Sequence, residues 1–216
     1  MSRRRATGTS RTASSSSVLS DGRLERWLAA VVATPGLTAI DDPEEARHVL
    51  LDEALTALPL LGDGPVVDVG SGGGSPGLPL AAERSDLEFV LLEASRRKAG
   101  FLEGAAKELA NVSVLCARAE EHGAGAGREA YGTALARALA PPPVAAEWVL
   151  PLVRTGGIAV LYVGLSADET AVSTVAGELS GELEESPPGF LILRKRGPTP
   201  ERFPRRPGVA RKRPLA

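Results

Sequence analysis

The run Val66-Val67-Asp68-Val69-Gly70-Ser71-Gly72-Gly73-Gly74-Ser75-Pro76-Gly77 is compatible with few folds. β-Branched residues favour a strand, Asp68 interrupts it near its end, and the chain then enters a loop dense in glycine. Glycine reaches backbone torsions closed to other residues and lets the main chain approach a ligand closely. Leu78-Pro79-Leu80-Ala81-Ala82 resumes as an apolar helix. Strand, tight loop and helix in that order form a nucleotide-type pocket within an α/β fold.

Two ligand classes fit the loop. Gly72, Gly74 and Gly77 match the dinucleotide spacing, and Glu93 follows Asp68 by 25 residues at the end of a second apolar run. A pyrophosphate, however, carries about two negative charges, and a carboxylate roughly 5 Å away repels each by about 3 kcal/mol at an effective dielectric near 20. S-adenosylmethionine has no phosphate and presents an ammonium and a sulfonium, so Asp68 at the strand tip is expected to select it. Gly70, Ser71, Gly72, Gly74 and Ser75 are then the cradle, and Glu93 the acceptor for the ribose hydroxyls through charge-assisted hydrogen bonds.

At 216 residues with 43% hydrophobic content, the chain can build one large α/β domain with a substantial core. No apolar run approaches the roughly 20 residues of a membrane span. Arg3, Arg4, Arg5 and Arg11 are not followed by an apolar segment, so the N-terminus does not read as a secretory signal. Cys116, the single cysteine, excludes an intrachain disulfide and suits a reducing cytoplasm; it reads as a small core residue of a strand. The net charge of −2 conceals an asymmetry. Residues 1–20 carry +4 and residues 194–216 carry +8, leaving the body with 12 bases against 26 acids. An acidic body with basic ends points to contact with a polyanion. Pro198, Pro200, Pro204, Pro207 and Pro214 favour an extended C-terminal arm able to follow an RNA backbone.

The chain divides into a Ser-rich basic tail expected to be disordered (1–20), a helical lid (21–62), the main domain (63–195) and a basic, proline-rich tail (196–216). In the lid, Leu24, Trp27, Leu28, Val31 and Val32 recur at helical spacing, and Asp42-Pro43-Glu44-Glu45 is a helix start. Beyond Pro65, strands are expected at 87–92, 112–115, 131–136 and 158–163, with helices from a Ser95 cap through Leu109, at 144–153 and near 168–179. A closing pair of strands follows at 182–185 and 190–193. The result is a mostly parallel sheet with helices on both faces. Pro141-Pro142-Pro143 lacks the acid or amide and the tyrosine of an amino-group methyltransferase signature and reads as a rigid loop.

Asp68-Val69-Gly70-Ser71-Gly72, Ser75-Pro76-Gly77-Leu78-Pro79-Leu80, Leu92-Glu93, Phe101-Leu102, Arg118-Ala119-Glu120-Glu121 and Arg137-Ala138 together resemble the bacterial small-subunit ribosomal RNA guanine-N7 methyltransferase G family, also called glucose-inhibited division protein B. The likeness covers roughly residues 37–163. It implies a class I, Rossmann-like methyltransferase fold, S-adenosylmethionine as cofactor and a guanine of 16S rRNA as substrate. It also implies that Ala119 and Glu120 flank the adenine and that Arg137 stands beside cofactor and substrate as the catalytic residue. The chain departs from the family's pattern at Gly36, where members carry Asn, and at Val163, where they carry Lys.

Guanine N7 has an in-plane lone pair and needs no deprotonation, so no general base is required, and no metal cluster is evident. Catalysis by alignment suffices in kind, contributing up to roughly 7–11 kcal/mol. The expected protein is a monomer acting on 16S rRNA or the small ribosomal subunit. Two alternatives stay open on sequence alone: a noncatalytic RNA-binding or ribosome-assembly protein on a methyltransferase scaffold, and a small-molecule methyltransferase.

Overall fold

A computed structural model describes residues 22–164 and 166–216; the tail expected over residues 1–20 lies outside the described residues. The strand containing Asp68, β1 (Val66–Val69), is buried at all four positions and sits in the middle of a seven-stranded sheet. The strand order is β3-β2-β1-β4-β5-β7-β6, with β2 (Phe89–Leu92), β3 (Val112–Leu115), β4 (Tyr131–Arg137), β5 (Val153–Tyr162), β6 (Gly181–Glu184) and β7 (Phe190–Lys195). β1 to β5 are mutually parallel, and β7 pairs antiparallel with both β5 and β6. The closing pair is therefore present, with β7 inserted and β6 at the edge. There Arg194 holds Glu184, and Arg196 holds both Glu182 and Glu184.

A parallel sheet covered on both faces needs apolar residues on both sides of each strand, which explains the apolar stretches Val66-Val67, Ala134-Leu135-Ala136 and Ile158-Ala159-Val160-Leu161 in β1, β4 and β5. Val66, Leu135 and Val160 enter one core, while Val67, Ala134, Ala136 and Leu161 enter the other. The helices alternate with the strands: α4 (Gly77–Glu83), α5 (Arg96–Ala105), the short α6 (Ala119–Gly123), α7 (Pro142–Val149) and α8 (Glu169–Glu178).

Ahead of the sheet, α1 (Gly22–Ala33) buries Leu24, Trp27, Leu28 and Val31 against Leu78, Leu91 and Leu102. Asp42 caps α2 (Pro43–Arg47), its Oδ1 accepting the Glu45 amide at 2.8 Å. The helix then loosens into a π-helical turn, His48–Asp52, before α3 (Glu53–Leu55).

Four local expectations are corrected. Pro142 and Pro143 are not loop residues: they occupy the first turn of α7, where a missing amide N–H costs nothing. Ser95 makes no side-chain cap for α5; instead Glu93 Oε1 accepts the Ser95 amide at 2.8 Å. Cys116 lies one residue past β3 and is exposed, because β3 is an edge strand with an incompletely covered face. The C-terminal residues 196–216 are not an extended free arm. Phe203 is 2% exposed and enters the main core, and Arg128 donates to the carbonyls of Thr199 and Phe203, each at 2.6 Å. Arg205 pairs with buried Glu147. The chain then turns at Gly208 into α9 (Val209–Lys212), whose Ala210 packs on Val144 and Trp148. Prolines set the bends of this segment, but tertiary anchors decide where it lies.

Candidate functional site

The loop leaving β1 is fastened from several sides. The Gly70 and Ser71 amides donate to the Leu92 carbonyl of β2 at 2.7 and 3.2 Å. Gly72, with φ at +56°, turns its amide onto Glu93 Oε2 at 3.0 Å. From the lid, the Trp27 indole donates to the Gly73 carbonyl at 2.7 Å, and Ser75 Oγ donates to the Leu50 carbonyl at 2.7 Å.

Asp68 is not where the charge argument requires it. It is 1% exposed, lines neither of the two cavities beside the loop, and accepts the Gly77 amide on Oδ2 at 3.1 Å. Its carboxyl therefore ties β1 to the start of α4. Burial pushes its pKa up to about 7, against the lowering effect of the Gly77 hydrogen bond. A Cβ on Gly77 would stand 2.8 Å from that carboxylate oxygen, so glycine is required there. Gly74 lies between two residues that line a cavity but is itself packed against Trp27 and Leu78. The carboxylates that do face open space are Glu93 and Glu120, 8% and 6% exposed.

Two cavities flank the loop. One, of about 400 Å³, is lined by Glu93, Ala119, Glu120, Leu139, Trp148 and Arg211 among others. The second, of about 360 Å³, is lined by Leu37, Thr38, Ser71, Gly72, Ser75 and Arg137 among others. Gly70, Lys98 and Ala138 border both, so the two meet at the carboxyl ends of β1 and β4, the usual ligand position in a doubly wound sheet. A larger cavity of about 470 Å³ lies between α1 and α5, but it is mainly apolar and touches no residue of the loop.

Arg137, the last residue of β4, projects into the second cavity. Its guanidinium donates to Glu53 Oε2 at 2.8 Å and to Ser75 Oγ at 3.2 Å, and lies 5.5 Å from the centre of the Tyr162 ring. Tyr162 is itself fixed by donating to the Ala54 carbonyl at 2.8 Å. The arginine is thus aimed by three segments, α3, the glycine loop and β5, rather than left as surface charge.

The first cavity has acceptors suited to the ribose of an adenosine. Glu93 spends one lone pair on each of two amides, leaving capacity for ribose hydroxyls. The Trp148 indole N–H is buried and makes no hydrogen bond among the described residues.

Sequence reasoning missed Lys98, Trp148, Gly208 and Arg211. Lys98 left a signal, a base five residues past Glu93 on the otherwise apolar stripe of α5. The other three left none at short range, because residues 208 and 211 reach the site only through the folded C-terminal segment.

The family model described as rRNA small subunit methyltransferase G matches residues 23–187. The Ribosomal RNA small subunit methyltransferase G of Synechococcus elongatus is 38% identical over 198 residues, covering 83% of this chain and 82% of that protein. The protein of the same name from Rubrobacter xylanophilus is 42% identical over 195 residues, covering 79% and 75%. Among solved structures, precorrin-6y C5,15-methyltransferase from Geobacter metallireducens matches with a TM-score of 0.50 at 17% identity, covering 74% of this chain and 90% of the other. TYW2 of Pyrococcus horikoshii in complex with MeSAdo matches with a TM-score of 0.51 at 15% identity, covering 66% and 59%. Likeness at that level establishes the shared class I methyltransferase fold.

Proposed function

The chain belongs to the rRNA small subunit methyltransferase G family, and on that premise we propose that it transfers a methyl group from S-adenosylmethionine to N7 of a guanine in 16S rRNA. The observation that carries this reading is the meeting of the two cavities at Gly70, Lys98 and Ala138, one furnished for a nucleoside and the other bearing Arg137.

S-adenosylmethionine, when bound, supplies a methyl group on a positively charged sulfur. Glu93 would hold the ribose hydroxyls, and Ala119, Glu120 and Trp148 would border the adenine. Gly70, Ser71, Gly72 and Ser75 form the wall between the nucleoside side and the Arg137 side. Arg137 would orient the guanine and balance charge as the transfer proceeds. Asp68 and Gly74 support the loop from beneath. Neither histidine stands at the junction: His122 bonds the Tyr131 hydroxyl at 2.7 Å, and His48 lies outside by Glu53. That distribution suits attack by a lone pair that needs no base. Alignment and exclusion of water then carry the catalysis.

Incubation with methyl-labelled cofactor and either small ribosomal subunits or naked 16S rRNA, followed by nucleoside mass spectrometry, tests this function. Labelled 7-methylguanosine is the expected product. Failure to label either substrate while RNA binding is retained would favour a noncatalytic RNA-binding protein.

A further inference from the structure

The segment from Pro204 to Arg213 has two faces with different chemistry. Its inner face closes the nucleoside cavity. Gly208, at φ +79°, donates its amide to Glu120 Oε1 at 2.9 Å. The Arg211 guanidinium lies 5.4 Å from the centre of the Trp148 ring and donates to the Leu139 carbonyl at 3.2 Å. Gly208 and Arg211 both line the cavity.

The outer face is a cation surface. Of the bases from 194 onward, Arg194, Arg196, Arg202 and Arg205 are neutralised by glutamates of the body, and Lys195 is buried against the Leu179 carbonyl and Thr199. Arg206, Lys212 and Arg213 are exposed and form no ion pair among the described residues. What remains of the C-terminal charge for an outside partner therefore lies on the part of the chain that covers the cavity.

We propose that residues 204–213 form a strap coupling the two substrates: its inner face, through Gly208 and Arg211, closes on the adenine end of the cofactor, and its outer face, through Arg206, Lys212 and Arg213, takes phosphates of the RNA. This rests on the methyltransferase function proposed above. A nucleoside under the strap packs against Arg211 and Trp148 and fixes Arg211 over a filled cavity, which holds the outer cations in one arrangement. Linkage then requires each ligand to tighten the other by the same factor, of the order of five-fold or more. Strap and Arg137 are connected through Ala138 and Leu139, so the RNA bound outside lies next to the cavity where its base must enter.

The test measures binding of a fluorescent 16S rRNA fragment with and without S-adenosylhomocysteine, and calorimetric affinity for S-adenosylhomocysteine without RNA. In the unaltered protein the nucleoside is expected to tighten RNA binding about five-fold or more. Arg211→Lys keeps the charge but loses the planar stack. It should weaken S-adenosylhomocysteine about ten-fold, keep the RNA affinity measured without nucleoside, and abolish the coupling. The triple change Arg206→Ala, Lys212→Ala, Arg213→Ala should leave nucleoside affinity unchanged. It should weaken RNA binding and flatten its salt dependence by about 0.7–0.9 logarithmic units per lost phosphate contact. Each variant is first matched to the parent by thermal unfolding, and Arg211→Gln replaces Arg211→Lys if the latter does not fold. Unchanged nucleoside affinity in the Arg211 variant, or unchanged RNA affinity in the triple variant, overturns the strap while leaving methyl transfer intact. Loss of methyl transfer in the unaltered protein would instead overturn the underlying function.

Discussion

Arg137 and Asp68 show how far a residue's neighbours decide its role. Both are charged groups at the ends of central strands, yet one opens into a cavity and the other is sealed beneath it. Arg137→Lys should lower turnover on small subunits about 100-fold, the cost of misplacing a reacting group by about 1 Å. Affinity for S-adenosylhomocysteine should change less than about three-fold, and equal losses in both would remove Arg137 from the chemistry. For Asp68, the buried carboxyl binds its proton more tightly in the folded chain, near pH 7, than in the unfolded chain, near pH 3.9. Its contribution to stability is thus greatest below pH 4 and is lost as pH rises towards 7. Asp68→Asn keeps an acceptor for the Gly77 amide without the charge. Its stability relative to the parent should rise steadily between pH 4.5 and pH 7.5 in urea titrations; parallel profiles would contradict the buried-acid assignment. The sequence made Asp68 conspicuous but could not say which way it faced. A strand tip has a side towards the ligand and a side towards its own helix, and only packing by Leu91 and Gly77 chooses between them.

At the level of elements, the alternation of apolar runs with helical spacing was legible, as was the cap at Asp42, which is set by a neighbour three residues on. The C-terminal segment was not, since its position depends on partners more than 50 residues away. Glu147 and Arg205 are the clearest case: the carboxylate is nearly fully buried on α7, and Arg205 Nε donates to its Oε1 at 2.6 Å. Arg205→Ala should destabilise the fold by about 3–5 kcal/mol by leaving that charge unpaired. Arg202→Ala, which breaks an exposed pair with Glu178 and removes a guanidinium 5.1 Å from the centre of the Phe203 ring, should cost no more than about 2 kcal/mol. Comparable losses in urea unfolding would show that the buried pair does not anchor the segment.

Across the whole molecule, the charge asymmetry read from the sequence is real but mostly spent internally. Body glutamates neutralise four of the C-terminal arginines, so the +8 of residues 194–216 overstates what an RNA meets. Composition counts charges and cannot see which of them pair. Removing residues 197–216 would expose the seat of Phe203 and strand Glu147. The shortened chain should therefore lose its cooperative thermal transition rather than merely its RNA affinity. A sharp transition at the parental temperature would show the segment to be dispensable for folding.

The outer margin of the sheet carries a last consequence. Among the described residues β6 has no strand beyond it, and such a border invites stray chains to zip on and polymerise. Its glutamates are clasped by arginines from the neighbouring strand, so an intruder would have to unfasten charged pairs before docking. Acid strong enough to protonate Glu184, which Arg194 holds below the ordinary carboxylate range, removes that guard and opens a route to fibrous self-assembly.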